Sequence, residues 1–211
     1  MPDFSYEACF LAEKSGPIAG IDEVGRGPLA GPVMAAAVIL NRECIPEGLN
    51  DSKKITIRTR EKLFDRVMEF AVTGIGEASV EEIDKFNIRR ATHLAMARAI
   101  TALGEKPAFA IVDGNDAPAL ECPCNTIVGG DGRSASIAAA SIIAKVTRDR
   151  KMMRLHEEFP GYGWRTNMGY GTKAHIEGMK MLGITPHHRK SFAPVYQMLC
   201  HVNHGDSIIR D

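Results

Sequence analysis

The order of apolar and polar positions along the chain predicts a series of strands and helices. Short segments rich in apolar residues predict strands over 17–24, 32–40, 71–78, 108–113 and 125–128. Longer segments predict helices over 57–70, 87–103, 134–158 and 172–182, the first two from apolar residues at helical spacing. The third of these helices is apolar on all sides over 136–146, which is typical of a buried helix.

The order of these elements favours an α/β fold. Two adjacent early strands are followed by alternating helices and strands, which indicates a mixed sheet with helices on both of its faces. A chain of 211 residues is long enough to bury a sizeable core in one domain. We expect that domain over 1–160, with a small C-terminal helical cap over 161–211 that packs on it.

Composition narrows the class of protein. Hydrophobic residues make up 45% of the chain and charged residues 25%, values ordinary for a folded globular domain and unlike disorder. The five cysteines are scattered and odd in number, which does not suit a disulfide framework. No apolar run approaches the roughly 18 residues of a membrane span, and the N-terminus has acids where a signal peptide is basic. We therefore expect a cytoplasmic monomer without a membrane partner.

The formal net charge is zero, but the charges are unevenly distributed. Residues 1–50 carry three basic and seven acidic residues, and residues 105–131 carry one basic and five acidic residues, a net charge of −4 in each segment. Residues 145–190 carry ten basic and four acidic residues, a net charge of +6. An acidic centre with a basic flank suits metal-dependent chemistry on a polyanion. The plainer alternative is a set of solvated helix ends and loops.

Four acidic residues stand at the ends of predicted strands. Asp22 and Glu23 close the first strand, Asp113 closes a later one, and Asp131 follows another after two glycines. Carboxylates that converge there would repel one another unless a cation such as Mg²⁺ or Mn²⁺ is bound. Adjacent strand residues face opposite sides, so both Asp22 and Glu23 reach one metal only if the strand ends or distorts there. For each acid alone, the alternative is a turn residue or a surface charge.

Three loop features are candidates for contacts with a ligand. The glycines of Gly25-Arg26-Gly27 allow close backbone approach to a sugar hydroxyl or a phosphate, and the alternative is a plain tight turn. Tyr170 is flanked by glycines, so it is exposed enough to stack on a sugar or base, and the alternative is a packed loop tyrosine, which is the commoner case. The run 187–190 (HHRK) fits either a phosphate-binding turn or a solvated segment.

Taken in order, a set of motifs resembles type 2 ribonuclease H (ribonuclease HII). They run without interruption over about 18–196 and comprise GIDEVGRGP at 20–28, GLNDSKK at 48–54, EID at 82–84, VDG at 112–114, AAASIIAKVTRD at 138–149 and HRKSFAPV at 188–195. The resemblance implies an RNase H-like fold and hydrolysis of the RNA strand of RNA–DNA hybrids. It also implies incision 5′ of single ribonucleotides in duplex DNA, with 3′-hydroxyl and 5′-phosphate products.

The resemblance also assigns roles to individual residues. The four acids that bind two Mg²⁺ or Mn²⁺ ions in the family correspond to Asp22, Glu23, Asp113 and Asp131. The motif that reads the 2′-hydroxyl at the RNA–DNA junction corresponds to Gly25, Arg26 and Gly27. The tyrosine that stacks on the following deoxyribose corresponds to Tyr170, in the segment expected to contact the substrate.

The chain departs from the family pattern at two positions. Gly129 and Met168 stand where the family commonly has lysines. We expect the chemistry to survive, because the acids and the tyrosine are retained, and substrate affinity and its salt dependence to change. Two alternatives stay open: another RNase H-like nuclease such as a DNA exonuclease, and a hybrid-binding module with weakened catalysis. The sequence does not identify a sliding-clamp partner.

Overall fold

A single five-stranded sheet forms the centre of the protein. The structure is a computed structural model and describes residues 1–13 and 16–205. The strands are β1 (Ile18–Val24), β2 (Val33–Leu40), β3 (Ala71–Ala78), β4 (Phe109–Asp113) and β5 (Cys124–Ile127). Their order across the sheet is β3-β2-β1-β4-β5, with β3, β2 and β1 antiparallel and β1, β4 and β5 parallel. The predicted mixed α/β sheet is confirmed.

Helices cover both faces of this sheet. Those in the described residues are α1 (Ser5–Glu13), α2 (Ile57–Phe70), α3 (Val80–Phe86), α4 (Ile88–Thr101), α5 (Ala135–Glu158), α6 (Trp164–Asn167), α7 (Lys173–Leu182) and α8 (Ala193–Gly205). The four predicted helices correspond to α2, α4, α5 and α7. The sequence pattern did not predict separate helices for α1, α3, α6 and α8. The helix α6 is a single turn, and α1 is only weakly amphipathic, so neither carries a periodic apolar signal.

The two faces of the sheet bury separate apolar clusters. Ile21 packs on the α4 face, and Val38 packs on the face covered by α2 and α5. Helix α5 approaches β1 closely because Gly20 has no side chain: an added Cβ there would lie 2.3 Å from the carbonyl carbon of Ser136. This close approach puts the start of α5 directly against the strand that carries Asp22.

The C-terminal residues form a third cluster against the main body. The fully buried Trp164 packs with Leu29 from the loop after β1 and with Met152 from α5. The division of the chain at 160 and 161 stays a prediction. Within the described residues, no helix combines the length and the apolar character needed to cross a membrane.

Candidate active site

Three carboxylates meet at one end of the two central strands. Strands β1 and β4 are parallel, with Ile21 beside Val112, so Asp22 and Asp113 follow at the same level of the sheet. Asp131 lies in a 3-10 turn (Gly130–Gly132) between β5 and α5. One ligand oxygen from each of Asp22, Asp113 and Asp131 lies within 4.8 Å of the others. An all-oxygen group of this kind fits the coordination preference of Mg²⁺ or Mn²⁺.

Glu23 lies on the opposite face of β1 from Asp22. The strand stays paired through Val24, which is opposite Met34, so its side chains keep alternating there. The Glu23 carboxylate accepts a hydrogen bond from Arg26 Nη1 at 3.1 Å and lines a cleft with Asp113. The distortion that would bring Glu23 beside Asp22 is absent from this described strand, and its assignment as a metal ligand stays a prediction.

Burial and mutual repulsion raise the pKa values of these acids. Burial raises the pKa of Asp22 well above its usual range, and the negative charges of Glu23 and Asp113 add to this rise. Burial also raises the pKa of Glu23, although its contact with Arg26 opposes the rise. Asp131 follows the same pattern: burial and the Asp113 charge raise its pKa. A bound cation would remove the cost of ionising this group of acids.

Backbone amides fix two of the carboxylates. The N–H of Gly130 donates to Asp113 Oδ1 at 2.7 Å, and the N–H of Glu23 donates to Asp22 Oδ1 at 2.8 Å. The first bond links β4 to the turn that carries Asp131. The two acids therefore keep a defined orientation despite their repulsion.

A buried arginine organises the loop after β1. The Arg189 guanidinium donates to the carbonyl oxygens of Gly25, Arg26 and Gly31 at 2.5, 2.9 and 2.9 Å. In a planar trans peptide the carbonyl and the following N–H point in opposite directions. The N–H groups of Arg26 and Gly27 therefore point away from Arg189, toward the outside of the loop.

A second buried arginine anchors the other end of this loop. Arg148 donates to the carbonyl oxygens of Pro32 at 3.0 Å, Ala30 at 3.1 Å and Met168 at 2.9 Å. Both guanidinium groups are fully buried. Burial lowers the pKa of Arg148 to about 10 and that of Arg189 to about 9, so both stay charged at neutral pH.

Sequence reasoning missed these two arginines. The sequence predicts a phosphate-binding turn or a solvated segment over 187–190, yet His188 and Arg189 are fully buried. Both interpretations are wrong for those two residues, because the guanidinium finds its partners among carbonyl groups far away in sequence. Arg148 lies in helix α5, which the sequence predicts to be buried. A charged residue on the buried side of such a helix is unusual unless it is paired, and this was the feature of the sequence that could have identified Arg148.

Tyr170 is exposed beside the glycine loop. Its side chain is 47% exposed, so the alternative of a packed loop tyrosine is wrong. A Cβ added at Gly27 would lie 3.4 Å from Tyr170 Cε1, which places the ring against the loop. The backbone of Gly169 also accepts a hydrogen bond from the N–H of Leu29 at 2.8 Å.

A buried network of neutral rings holds the Tyr170 backbone. His188 Nδ1 accepts the N–H of Thr185 at 3.0 Å, so its Nε2 carries the proton and donates to His175 Nε2 at 3.1 Å. Trp164 Nε1 donates to the same His175 nitrogen at 2.9 Å. The remaining nitrogen, His175 Nδ1, then donates to the Tyr170 carbonyl at 2.9 Å. Burial lowers the pKa of both histidines, to about 4 for His188, which keeps the network neutral.

Comparison with known proteins identifies the family. A sequence model of ribonuclease HII matches residues 19–195 of this chain. The chain belongs to the ribonuclease HII family. The ribonuclease HII of Paracoccus denitrificans is 56% identical over 200 residues, an alignment that covers 94% of this chain and 95% of that protein. The family resemblance inferred from the motifs is confirmed.

Solved structures agree with this assignment. The crystal structure of ribonuclease H2 from Pyrococcus horikoshii OT3 has a TM-score of 0.75 and 26% identity, covering 88% of this chain and 98% of that one. The ribonuclease HII in a complex with PCNA from Archaeoglobus fulgidus has a TM-score of 0.71 and 28% identity, covering 82% and 93%. Family membership makes the chain a ribonuclease H enzyme and removes the alternative of a DNA exonuclease.

The two positions that depart from the family pattern have unusual backbone conformations. Gly129 has a φ of +64° and is exposed, with no atom within 4 Å of where a Cβ would lie. Met168 has a φ of +49°, and its carbonyl accepts the hydrogen bond from Arg148. Both positions therefore border the candidate site without contributing a cation. Lys53 does place a positive charge near Asp131, which partly opposes the rise in the pKa of that acid.

Proposed function

We propose that this chain cleaves the RNA strand of RNA–DNA hybrids and incises duplex DNA 5′ of single ribonucleotides, with divalent metal ions at its acidic cluster. The observation that carries the proposal is the convergence of Asp22, Asp113 and Asp131, whose ligand oxygens lie within 4.8 Å of one another. This cluster lies next to the loop that contains Gly25, Arg26 and Gly27 in the chain and in space. Catalytic acids and a glycine loop in this arrangement suit a nuclease that must recognise one sugar.

The acids supply the ligands for the metal ions. Asp22, Asp113 and Asp131 would hold the cations through their carboxylate oxygens, and Glu23 would complete the set from the other face of β1. Two bound ions supply an activated water and neutralise the charge that develops on the leaving 3′-oxygen. The Gly130 N–H keeps one Asp113 oxygen engaged, which leaves the other oxygen of that carboxylate for a cation.

The glycine loop would recognise the ribose. The N–H groups of Arg26 and Gly27 point outward because Arg189 holds the two preceding carbonyls. Such donors can bind the 2′-hydroxyl, the group that distinguishes a ribonucleotide from its deoxyribonucleotide neighbours. The absence of side chains at Gly25 and Gly27 lets the sugar approach the backbone.

Tyr170 would stack on the sugar next to the recognised one. Its exposed ring lies against Gly27. When one nucleotide is bound at the loop, the next nucleotide of the strand would therefore contact the Tyr170 ring. Aromatic stacking is worth about 1–3 kcal/mol for a base, and it does not depend on sequence. Tyr170 therefore positions the duplex without reading it.

One assay tests the proposal. A labelled DNA duplex with a single embedded ribonucleotide is incubated with the protein in Mg²⁺, in Mn²⁺ or in chelator, beside an all-DNA duplex and an RNA–DNA hybrid. We expect metal-dependent incision 5′ of the ribonucleotide, cleavage of the hybrid and no cleavage of the all-DNA duplex. The Asp22→Asn variant should lose incision, and Asp65→Asn, which changes an exposed acid in α2, should cut like the wild type.

Other outcomes would reject the proposal. Binding of the hybrid without any cleavage would favour a hybrid-binding module with weakened catalysis. Incision in the presence of chelator, or normal incision by Asp22→Asn, would show that the acidic cluster is not the metal centre. Cleavage of the RNA–DNA hybrid without incision at the single embedded ribonucleotide would refute the second activity and support only the first.

A further inference from the structure

The N-terminal segment contacts the junction between α5 and the turn that carries Asp131. Its helix, α1, precedes the residues 19–195 that match the family model. Just before it, the N–H of Asp3 donates to the Arg133 carbonyl at 3.3 Å, and the Asp3 carbonyl accepts from the N–H of Ala135 at 2.9 Å. The Arg133 guanidinium lies over the Tyr6 ring, 5.1 Å from its centroid. The start of the chain is thus attached to both sides of the junction between this turn and α5.

Glu7 is the buried polar residue at the centre of this contact. Its side chain is fully buried, and Oε1 accepts hydrogen bonds from Ser134 Oγ at 2.7 Å and from the N–H of Ser136 at 2.8 Å. Ser134 is the N-cap of α5, so Glu7 adds a carboxylate to the positive end of that helix. Within the described part of the chain, Glu7 Oε2 and Ser136 Oγ have no hydrogen-bond partner.

A continuous series of hydrogen bonds runs from Glu7 to the acidic cluster. Ser134, which donates to Glu7, also donates its N–H to the Gly130 carbonyl at 2.8 Å. The N–H of Gly130 donates in turn to Asp113 Oδ1 at 2.7 Å. Asp131 is the first of the three residues between Gly130 and this N-cap, so the two linked groups lie on either side of its backbone.

Simple packing does not account for a carboxylate at this place. An apolar side chain would fill the same space without the cost of burying a charge. What an apolar residue cannot do is accept the two hydrogen bonds from Ser134 and Ser136, which fix the first turn of α5. The chemistry of Glu7 therefore serves the position of this turn.

We propose that Glu7 is a positioning residue for the metal centre: it holds the Asp131 turn and, through Gly130, orients the Asp113 carboxylate. This inference rests on the proposed function, in which those acids bind metal. A site with displaced ligands binds its ion less tightly, and loss of a group that orients metal ligands typically costs about 10–100-fold in affinity. The binding of metal alone, without substrate, is therefore the direct measure of the effect.

The experiment compares Mn²⁺ affinity by calorimetry in three variants of the full chain. Glu7→Ala removes both hydrogen bonds and is expected to bind Mn²⁺ at least about tenfold more weakly than the wild type. Glu7→Gln keeps an acceptor oxygen for Ser134 and Ser136 and should retain nearly wild-type affinity. Phe10→Leu is the control, because Phe10 lies in the same helix as Glu7 but stacks on Phe109 of β4, with 4.6 Å between the ring centroids. It should lose stability and keep its affinity.

The outcomes separate this inference from the proposed function. Absence of Mn²⁺ binding by the wild type would overturn the metal centre and this inference with it. Wild-type affinity in a folded Glu7→Ala variant, or an equal loss in Phe10→Leu, would overturn the positioning role alone. An equal loss in Glu7→Gln would assign the effect to charge and not to position. If Glu7→Ala does not fold, Ser134→Ala takes its place and must bind Mn²⁺ severalfold more weakly.

Discussion

Replacement of Arg189 by lysine tests how the loop over 25–31, which we propose recognises the ribose, is held. The arginine donates through three different nitrogens to the carbonyls of Gly25, Arg26 and Gly31, at 2.5–2.9 Å. Lysine keeps the positive charge, but its single nitrogen cannot reach all three separated carbonyls in the geometry of the guanidinium fork. The variant therefore separates the effect of the guanidinium geometry from the effect of the positive charge.

The expected loss of stability follows from the number of bonds. A hydrogen bond to a charged group contributes about 1.5–3 kcal/mol, and lysine can restore one or two of the three. Because one or two bonds are lost, we expect Arg189→Lys to lower the free energy of unfolding by about 1.5–6 kcal/mol, a large part of the roughly 5–15 kcal/mol of a typical domain. Urea denaturation followed by circular dichroism measures this as a lower midpoint.

The same variant should lose activity on a single embedded ribonucleotide. If the outward N–H groups of Arg26 and Gly27 shift by about 1 Å, incision should fall by about tenfold to a hundredfold. The control is Lys190→Ala, which removes an exposed neighbouring cation and should stay within about 0.5 kcal/mol of the wild type. A wild-type urea midpoint together with wild-type incision in Arg189→Lys would refute the argument that this fork holds the loop.

Substitutions at three further positions test the remaining parts of the site. Asp22→Asn should abolish incision and raise the melting temperature of the metal-free protein, with a larger gain at pH 7.5 than at pH 5, as calorimetry in chelator would measure. Tyr170→Ala should raise KM for the embedded ribonucleotide by about tenfold through loss of stacking, whereas Tyr170→Phe should change it little in steady-state kinetics. Gly129→Lys should steepen the slope of log affinity against log salt by about 0.9 and lower stability by about 1–2 kcal/mol, because its φ is +64°.

The pH dependence of the first variant follows from the direction of the pKa shift. Because burial and neighbouring acids raise the pKa of Asp22, the folded protein keeps this proton to a higher pH than the unfolded chain. The free energy of unfolding therefore decreases as pH rises above the unfolded aspartate value of about 4 and through the folded pKa. Asparagine cannot ionise, so the Asp22→Asn variant lacks this decrease in the free energy of unfolding. A stability gain that does not change with pH would contradict the assignment.

The substitutions at Tyr170 and Gly129 can also fail in an informative way. Equal effects of Tyr170→Ala and Tyr170→Phe would assign the role to the hydroxyl and not to stacking. An unchanged salt slope in a folded Gly129→Lys variant would mean that the added lysine does not contact a phosphate. The lysine that the family commonly has at this position would then not contribute a contact to the nucleic-acid backbone in this protein.

Local patterns in the chain were sufficient to predict most of the fold. Buried strands and amphipathic helices repeat their apolar positions over a few residues, so β1 to β5 and helices α2, α4, α5 and α7 were visible without tertiary information. The acids Asp22, Asp113 and Asp131 were found for a related reason: each stands where an apolar strand ends. The helix α1 was missed because its apolar residues lack that periodicity.

By itself, the sequence determined the five strands, four of the helices, the acids that follow the strands, and the family to which the motifs belong. Only the tertiary structure decided that β1 pairs with β4, which puts Asp22 beside Asp113 and leaves Glu23 on the other face. It also decided that Arg189 is buried, and that Glu7 reaches the turn before α5. The physical reason is that strand and helix formation depend on neighbours a few residues away. The hydrogen bonds of these buried charges join residues more than 100 positions apart, and no local periodicity records such a partner.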